Sequence, residues 1–173
     1  LLEHTVGMME MAEKLLPHYP GTDRDLVMTG LFLHDSGKVR ELSYLRAFGY
    51  TDEGQLLGHI PIAVEMVNEQ AAKVVELTGE PFPRELLLRV KHMILSHHGT
   101  MEHGSPKVPM TPEAMLIHSI DSMDTRMHMV LRELKDDRNN PTAWTPYNSN
   151  LQRRFYKGGA NGGLIGGSGD SYD

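Results

Sequence analysis

Histidines and aspartates recur along this chain of 173 residues, on each segment with a helical pattern. Their imidazole nitrogens and carboxylate oxygens suit a hard or borderline divalent ion, and the chain has no cysteine to offer a soft thiolate. Helices of a bundle can present such groups at one level. The sequence therefore predicts a site for one or two metal ions, formed by His4, His34, Asp35, His59, His97, His98 and Asp121.

The spacing of apolar residues predicts helices along most of the chain. Apolar side chains recur every three or four residues over 1–16, and similar patterns cover 23–34 and 83–97. Thr111 offers an N-cap for a last helix that runs to about Lys135. We therefore expect an all-α fold, a helical bundle with the metal site at its centre.

Two stretches of the chain depart from this regular pattern. The periodicity fails over 39–54, and the aromatic residues there predict a connecting loop that could overhang the site. A long helical segment follows over about 52–77, with His59 near its entrance. Pro61 limits where regular hydrogen bonding can begin in that segment.

The last predicted helix carries both ligand candidates and methionines. Asp121, Asp124 and His128 are three and four residues apart, which places them on one face. Six of the twelve methionines fall between Met101 and Met129. Since methionine fills irregular gaps in cores, we expect these six to be core residues.

Composition bounds the kind of protein. The net charge of −6 divides into −8 over 1–137 and +2 over 138–173, so the main body offers no broad basic surface for nucleic acid. No apolar run approaches the roughly 20 residues that span a bilayer. The absence of cysteine fits a reducing cytoplasm. We expect an intracellular, cytoplasmic protein.

The same distribution suggests how the chain is divided. We expect one domain over 1–137 and an irregular basic segment with a flexible tail over 138–173, because seven of the twelve residues in 158–169 are glycine. The chain begins at Leu1, and a ligand at His4 needs supporting structure on both sides. We therefore expect a fragment whose N-terminal part has been removed or is not shown.

Asp35 and Lys38 have the chemistry of a phosphate site. A carboxylate with two oxygens can bridge two ions about 3.5 to 4 Å apart, and an ammonium nearby can neutralise a phosphate oxygen. The adjacent His97 and His98 would point about 100° apart on a helix. We therefore expect one of them to bind metal and the other to contact substrate or support a ligand.

The order of these residues resembles the HD superfamily of metal-dependent phosphohydrolases over residues 1 to about 135. Longer strings are similar to the HD domain of the YhaM-type 3'-to-5' exoribonucleases. These strings are Leu-Leu-Glu-His-Thr at 1–5, Arg-Glu-Leu-Ser-Tyr at 40–44, Tyr-Thr-Asp-Glu-Gly-Gln-Leu-Leu-Gly-His at 50–59, Ser-His-His-Gly at 96–99 and Gly-Ser-Pro-Lys-Val-Pro-Met-Thr at 104–111.

The resemblance implies an all-helical domain with one or two divalent ions, most often Mn²⁺, with Fe, Mg²⁺, Ni²⁺ or Zn²⁺ as alternatives. It assigns the first ion to His4, His34, Asp35 and Asp121, and the second to Asp35, His59 and either His97 or His98. It also implies an oligonucleotide-binding OB-fold ahead of the domain in the full-length protein, and we expect that domain to be missing from this sequence. An oligomer is compatible with the resemblance.

Our leading hypothesis is a metal-dependent phosphodiesterase that shortens single-stranded RNA or short oligonucleotides from the 3' end. Asp35 and Lys38 are its predicted catalytic residues, and Lys38, Lys107 and Arg126 its predicted substrate contacts. For Arg126 an ion pair with Asp124 or Glu133 is an equal alternative. Three other activities remain open: a nucleotide phosphohydrolase or cyclic-nucleotide phosphodiesterase, a di-iron HD-type oxygenase, and a binding module without hydrolysis.

Overall fold

The computed structural model describes residues 1–44 and 48–158. It divides into two compact units, Leu1–Ser122 and Met123–Asp173, with the boundary inside the last helix. The predicted domain boundary after residue 137 stays a prediction. Beyond Gly158, the predicted glycine-rich tail lies outside the described residues.

Helices dominate the described structure, and the predicted all-α fold is confirmed. The only strands among the described residues are a two-stranded antiparallel pair, in which Leu42 faces Tyr50 and Ser43 faces Gly49. No helix in this described part is long and apolar enough to cross a bilayer. The elements are α1 (Leu2–Leu15), α2 (Arg24–Leu33), α3 (Lys38–Glu41), β1 (Leu42–Ser43), β2 (Gly49–Tyr50), α4 (Asp52–Leu57), α5 (His59–Thr78), α6 (Arg84–Ser96) and α7 (Pro112–Asp136), with 3-10 turns at Leu16–His18 and Met101–His103.

Side-chain caps define the starts of α2 and α7. Asp23 accepts a hydrogen bond from the Leu26 N–H at 3.1 Å, and Thr111 accepts one from the Ala114 N–H at 3.2 Å. Each such cap stabilises a helix by about 1 kcal/mol. The buried carboxylate of Glu113 in turn accepts the Asp23 N–H at 3.1 Å, which ties the start of α7 to the start of α2.

The stretch over 39–54 is not the simple loop that we expected. It contains α3, the β1–β2 hairpin and the start of α4, which are too short to show a periodic pattern in sequence. The long segment over 52–77 is likewise two helices. Gly58, at φ +74°, separates α4 from α5 because glycine adopts this backbone conformation without strain. Pro61 falls in the first turn of α5, where its missing N–H breaks no helical bond.

The first unit has one apolar core, built from α1, α2, α5, α6 and the first part of α7. Gly30 lets α2 approach its neighbours, because a Cβ there would collide with the side chains of Ile117 and Met93. Each large apolar side chain buried here contributes about 1.5 to 3 kcal/mol. The core residues are Met8, Ala12, Leu16, Leu26, Val27, Leu31, Ile60, Ala63, Val90, Met93, Ile94, Ala114, Ile117 and Ile120.

The prediction that the methionines between Met101 and Met129 fill the core is wrong. Met129 is half-buried, and the other five are exposed. The core instead takes Met8 and Met93 from α1 and α6. Side-chain chemistry suits methionine to a core, but it does not specify which face of a helix is covered.

The second unit consists of the end of α7 and the chain that follows it. Two isolated antiparallel bridges join Trp144 to Tyr156 and Asn148 to Arg153. The ammonium of Lys157 donates to the carboxylate of Asp137 at 2.7 Å, which anchors the returning chain at the end of α7. The predicted irregular segment therefore has defined contacts up to residue 158.

Candidate metal centre

The end of α2 positions the first two ligand candidates. The helix ends at Leu33, and His34 and Asp35 follow it in a tight turn, where both are buried. Nδ1 of His34 lies 2.6 Å from the carbonyl oxygen of Leu31. A carbonyl only accepts, so Nδ1 carries the proton and donates it, and Nε2 keeps its lone pair for a metal.

Gly37 lets α5 bring His59 to the same place. A Cβ at Gly37 would collide with the backbone carbonyl of His59 and the backbone nitrogen of Ala63, so only glycine permits this approach. Nε2 of His59 lies 3.4 Å from Oδ1 of Asp35. On the other side, the carboxylate of Glu41 accepts the backbone N–H of His59 at 3.1 Å.

The end of α6 contributes two imidazoles rather than one. His97 caps the helix, and its Nδ1 donates to the carbonyl of Ile94 at 2.7 Å. His98 lies beyond the helix end, and its Nδ1 donates to the carbonyl of His103 at 2.8 Å. The expected separation of 100° applies inside a helix, whereas here the ring centroids are 4.2 Å apart. Both rings join His59 in one potential ligand group.

α1 and α7 close the opposite side of the cluster. Nε2 of His4 lies 3.3 Å from Oδ1 of Asp121, and His4 forms a second potential ligand group with His34 and Asp35. Burial alone would raise the pKa of Asp121, but the hydrogen bond from His4 and the neighbouring imidazoles lower it overall. All seven predicted ligands therefore lie in the first unit, at the ends of α2, α5 and α6 and within α1 and α7.

Asp35 lies between the two groups. Its Oδ1 is 3.4 Å from Nε2 of His59 and 3.8 Å from Nε2 of His97, and its Oδ2 is 3.5 Å from Nε2 of His34. Within each potential ligand group, the donor atoms all lie within 4.8 Å of one another. The carboxylate thus lies within 4 Å of imidazoles from both groups, and its bridging role stays a prediction.

The buried donor atoms fit a divalent cation. Among the described residues, no hydrogen-bond partner exists for Nε2 of His34, His59 or His97, or for Oδ1 of Asp35. Leaving a buried acceptor unsatisfied costs about 1 to 3 kcal/mol, so four of them side by side would be expensive in a site built only for packing. A metal ion is the ligand that satisfies this set of nitrogen and oxygen lone pairs.

The protonation states also fit a cation. Burial lowers the pKa of His34 and His59, and it lowers the pKa of His97 to about 3. Burial alone would raise the pKa of Asp35, but the charges of His34 and Lys38 lower it to about 2. Near neutral pH the site thus presents neutral imidazoles and an ionised carboxylate, which are the forms that bind metals.

The three predicted substrate contacts lie in different surroundings. Nζ of Lys38 is 2.5 Å from Oδ2 of Asp35, with about a third of its side chain exposed. Lys107 is exposed in the loop after His98, where its backbone N–H donates to the carbonyl of Leu95. Arg126 is exposed and belongs to the second unit. The substrate-binding roles of all three stay predictions.

Two residues of the site were missed in the sequence. The carboxylate of Glu41 accepts the backbone N–H of His59, and Nδ1 of His118 donates to the carbonyl of His97 at 2.8 Å. A Cβ on Gly99 would strike the His118 ring, so this ring packs directly against the turn after α6. Both lie on elements next to predicted ligands, but neither has a spacing that distinguishes it from a surface residue.

Comparison with known sequences identifies the family. A profile of the HD domain matches residues 1–126. This chain belongs to the HD domain family. The predicted resemblance is thereby confirmed, and the histidine and aspartate cluster has the donor set of an HD-domain centre for divalent metal.

The chain is also similar to curated HD-domain proteins. It is 44% identical to the 3'-5' exoribonuclease YhaM of Geobacillus sp. (strain WCH70), over 91% of this chain and 46% of that protein. It is 44% identical to the 3'-5' exoribonuclease YhaM of Bacillus subtilis (strain 168), over 91% and 48%. It is 48% identical to the 3'-5' exoribonuclease YhaM of Shouchella clausii (strain KSM-K16), over 76% of this chain and 40% of that protein. The chain spans about half the length of these relatives, and no solved structure matches it.

Proposed function

We propose that this HD domain is a metal-dependent phosphodiesterase that removes nucleotides from the 3' end of single-stranded RNA. The observation that carries the proposal is Asp35, a buried carboxylate with Lys38 against it that lies beside Nε2 of His34, His59 and His97, three nitrogens without a hydrogen-bond partner among the described residues. The names of the similar proteins support the same reaction class.

His4, His34, Asp35 and Asp121 would hold a first ion, and Asp35, His59 and either His97 or His98 would hold a second. We propose Mn²⁺ as the preferred ion. When bound, divalent ions supply a Lewis acid for the phosphate and lower the pKa of a bound water. The imidazoles stay neutral near pH 7, because burial lowers the pKa of His34, His59 and His97, and so they offer lone pairs throughout the working range.

Lys38 holds the phosphate. An ammonium has three N–H donors, of which one is directed at Asp35, so two remain for phosphate oxygens. Asp35 is almost fully buried whereas Lys38 is partly exposed, and so Lys38 marks the side from which substrate reaches the cluster. Its positive charge offsets the negative charge that grows on the phosphoryl oxygens in the transition state.

The test is the product pattern on a 5'-labelled single-stranded oligoribonucleotide with Mn²⁺. We expect a ladder that shortens one nucleotide at a time from the 3' end and disappears with a chelator. Asp35→Asn should abolish it and reduce bound metal at least about 100-fold, because loss of a mere supporting partner already costs 10- to 100-fold. Asp25→Asn, exposed in α2, the helix that precedes Asp35, should change neither quantity.

Other product patterns decide between the alternatives. Phosphate release from mononucleotides without shortening of the strand would support a nucleotide phosphohydrolase, which the acidic main body also favours. Oxygen-dependent turnover with bound iron would support an oxygenase. No product with any divalent ion would contradict all the phosphodiesterase readings. The OB-fold, the oligomeric state and a cytoplasmic location stay predictions.

A further inference from the structure

Two exposed aromatic rings in contact lie on the β1–β2 hairpin. Tyr44 follows β1 and Phe48 precedes β2, and their side chains are 67% and 69% exposed. Their ring centroids are 5.6 Å apart with an interplanar angle of 63°, an edge-to-face arrangement. Isolated exposed aromatics need no explanation, but two in contact on one hairpin form a defined surface. We call Tyr44 and Phe48 the aromatic pair.

The hairpin that carries the aromatic pair is rooted in the metal centre. α3, with Lys38 at its start and Glu41 at its end, leads directly into β1. At the returning end, Thr51 donates its backbone N–H to the carbonyl of Glu41 at 2.9 Å and its hydroxyl to the carbonyl of Arg40 at 2.8 Å. Three residues span at most about 10 Å, so the Cα of Tyr44 lies within that distance of the Cα of Glu41. Since Glu41 supports His59, the aromatic pair is close to the cluster.

We propose that the aromatic pair stacks bases of the single strand next to the 3'-terminal nucleotide. This inference rests on the proposed function. Bases of a single strand have free faces, and aromatic side chains bind them with little sequence preference because every base has a π-face. The guanidinium of Arg40, at the root of the hairpin, is already paired with the carboxylate of Glu69 at 2.7 Å. We therefore assign base stacking to the aromatic pair of the hairpin and the phosphate contact to Lys38.

A strand without bases tests this contact directly. Two labelled single strands are compared, one intact and one in which the nucleotides before the 3'-terminal one are abasic. Binding is followed by fluorescence anisotropy, which needs no turnover. Wild-type protein should bind the intact strand about tenfold more tightly, and Tyr44→Ala/Phe48→Ala should lose that difference while binding the abasic strand normally. Because the electrostatic contacts remain, the salt dependence of binding should not change.

Matched variants separate stacking from damage to the fold. Tyr44→Trp/Phe48→Trp should retain the preference for the intact strand, and Tyr19→Ala, an exposed ring at the end of the 3-10 turn after α1, should not affect it. Equal binding of the two strands by wild-type protein would overturn the inference. The inference would also be overturned if the Tyr44→Ala/Phe48→Ala protein kept the strand preference but had a different molecular mass in solution. That result would indicate that the aromatic pair is a protein interface. A preference for the intact strand without any cleavage would contradict the proposed function alone.

Discussion

At the scale of single residues, Lys38 acts on the metal centre through the positive charge of its ammonium group. Its ammonium contacts Asp35 and is the partly exposed member of that pair. Loss of one preorganised donor to a developing negative charge typically lowers turnover by 10² to 10³. The same loss removes a positive charge that lowers the pKa of Asp35. We therefore expect the residue to affect both the substrate and the protonation state of Asp35.

We predict that Lys38→Ala lowers kcat on the oligoribonucleotide about 100-fold, because the variant loses the ammonium that would contact the phosphate beside Asp35. The bound metal, measured on the purified variant near pH 7, should stay within about threefold of wild type, since the pKa of Asp35 is far below that pH. Lys14→Ala, an exposed lysine on α1, should have wild-type kcat. An unchanged kcat in Lys38→Ala would contradict the role of the ammonium.

At the scale of elements, the centre depends on how closely α3 approaches α5. Gly37 precedes α3 and lies directly against the first turn of α5, where His59 begins the helix. Backbone atoms cannot rotate away as a long side chain can, so a Cβ at this position must push the two helices apart. The position of His59 therefore depends on Gly37, which is not itself a candidate metal ligand.

We predict that Gly37→Ala lowers the free energy of unfolding by about 1 to 3 kcal/mol and weakens metal binding, because it displaces His59 from Asp35. The matched control is Gly7→Ala in α1, where a Cβ has open space. That change should raise the free energy of unfolding by about 0.5 to 1 kcal/mol, as alanine replaces glycine within a helix. Urea denaturation measures both. Equal stability of Gly37→Ala and wild type would show that the helices tolerate the added atom.

At the scale of the whole molecule, the cluster links stability to pH when no metal is bound. Burial lowers the pKa of His34, His59 and His97 below their usual range, and that of His97 to about 3. As the pH falls below about 6.5, these histidines become protonated in the unfolded chain but stay neutral in the folded chain. The free energy of unfolding therefore falls on acidification and recovers as the pH rises.

We predict that metal-free protein loses up to about 1.4 kcal/mol of stability per pH unit for each of these histidines, between about pH 6.5 and the folded pKa. Asp35 adds to this loss only below about pH 4, because its pKa is lowered to about 2. Urea denaturation from about pH 7 to about pH 5 in chelator measures the slope. His18→Gln, an exposed histidine, should keep the wild-type slope. A flat profile would mean that the buried imidazoles take up protons freely in the folded state.

The sequence alone determined the helical class and the ligand types, because both depend on local features. Helical periodicity and caps such as Asp23 and Thr111 act within a few residues, and imidazole or carboxylate chemistry belongs to the residue itself. The order of these ligand residues along the chain gave the resemblance to the HD superfamily.

Only the tertiary structure decided which groups meet and which surfaces are covered. His98 joins His97 because α6 ends at Ser96, and Glu41 and His118 support ligands that are distant in sequence or on another helix. Three methionines of α7, Met115, Met123 and Met127, are exposed rather than in the core. These outcomes depend on helix ends and on packing between segments that are far apart in the chain, and no local pattern of residues specifies either.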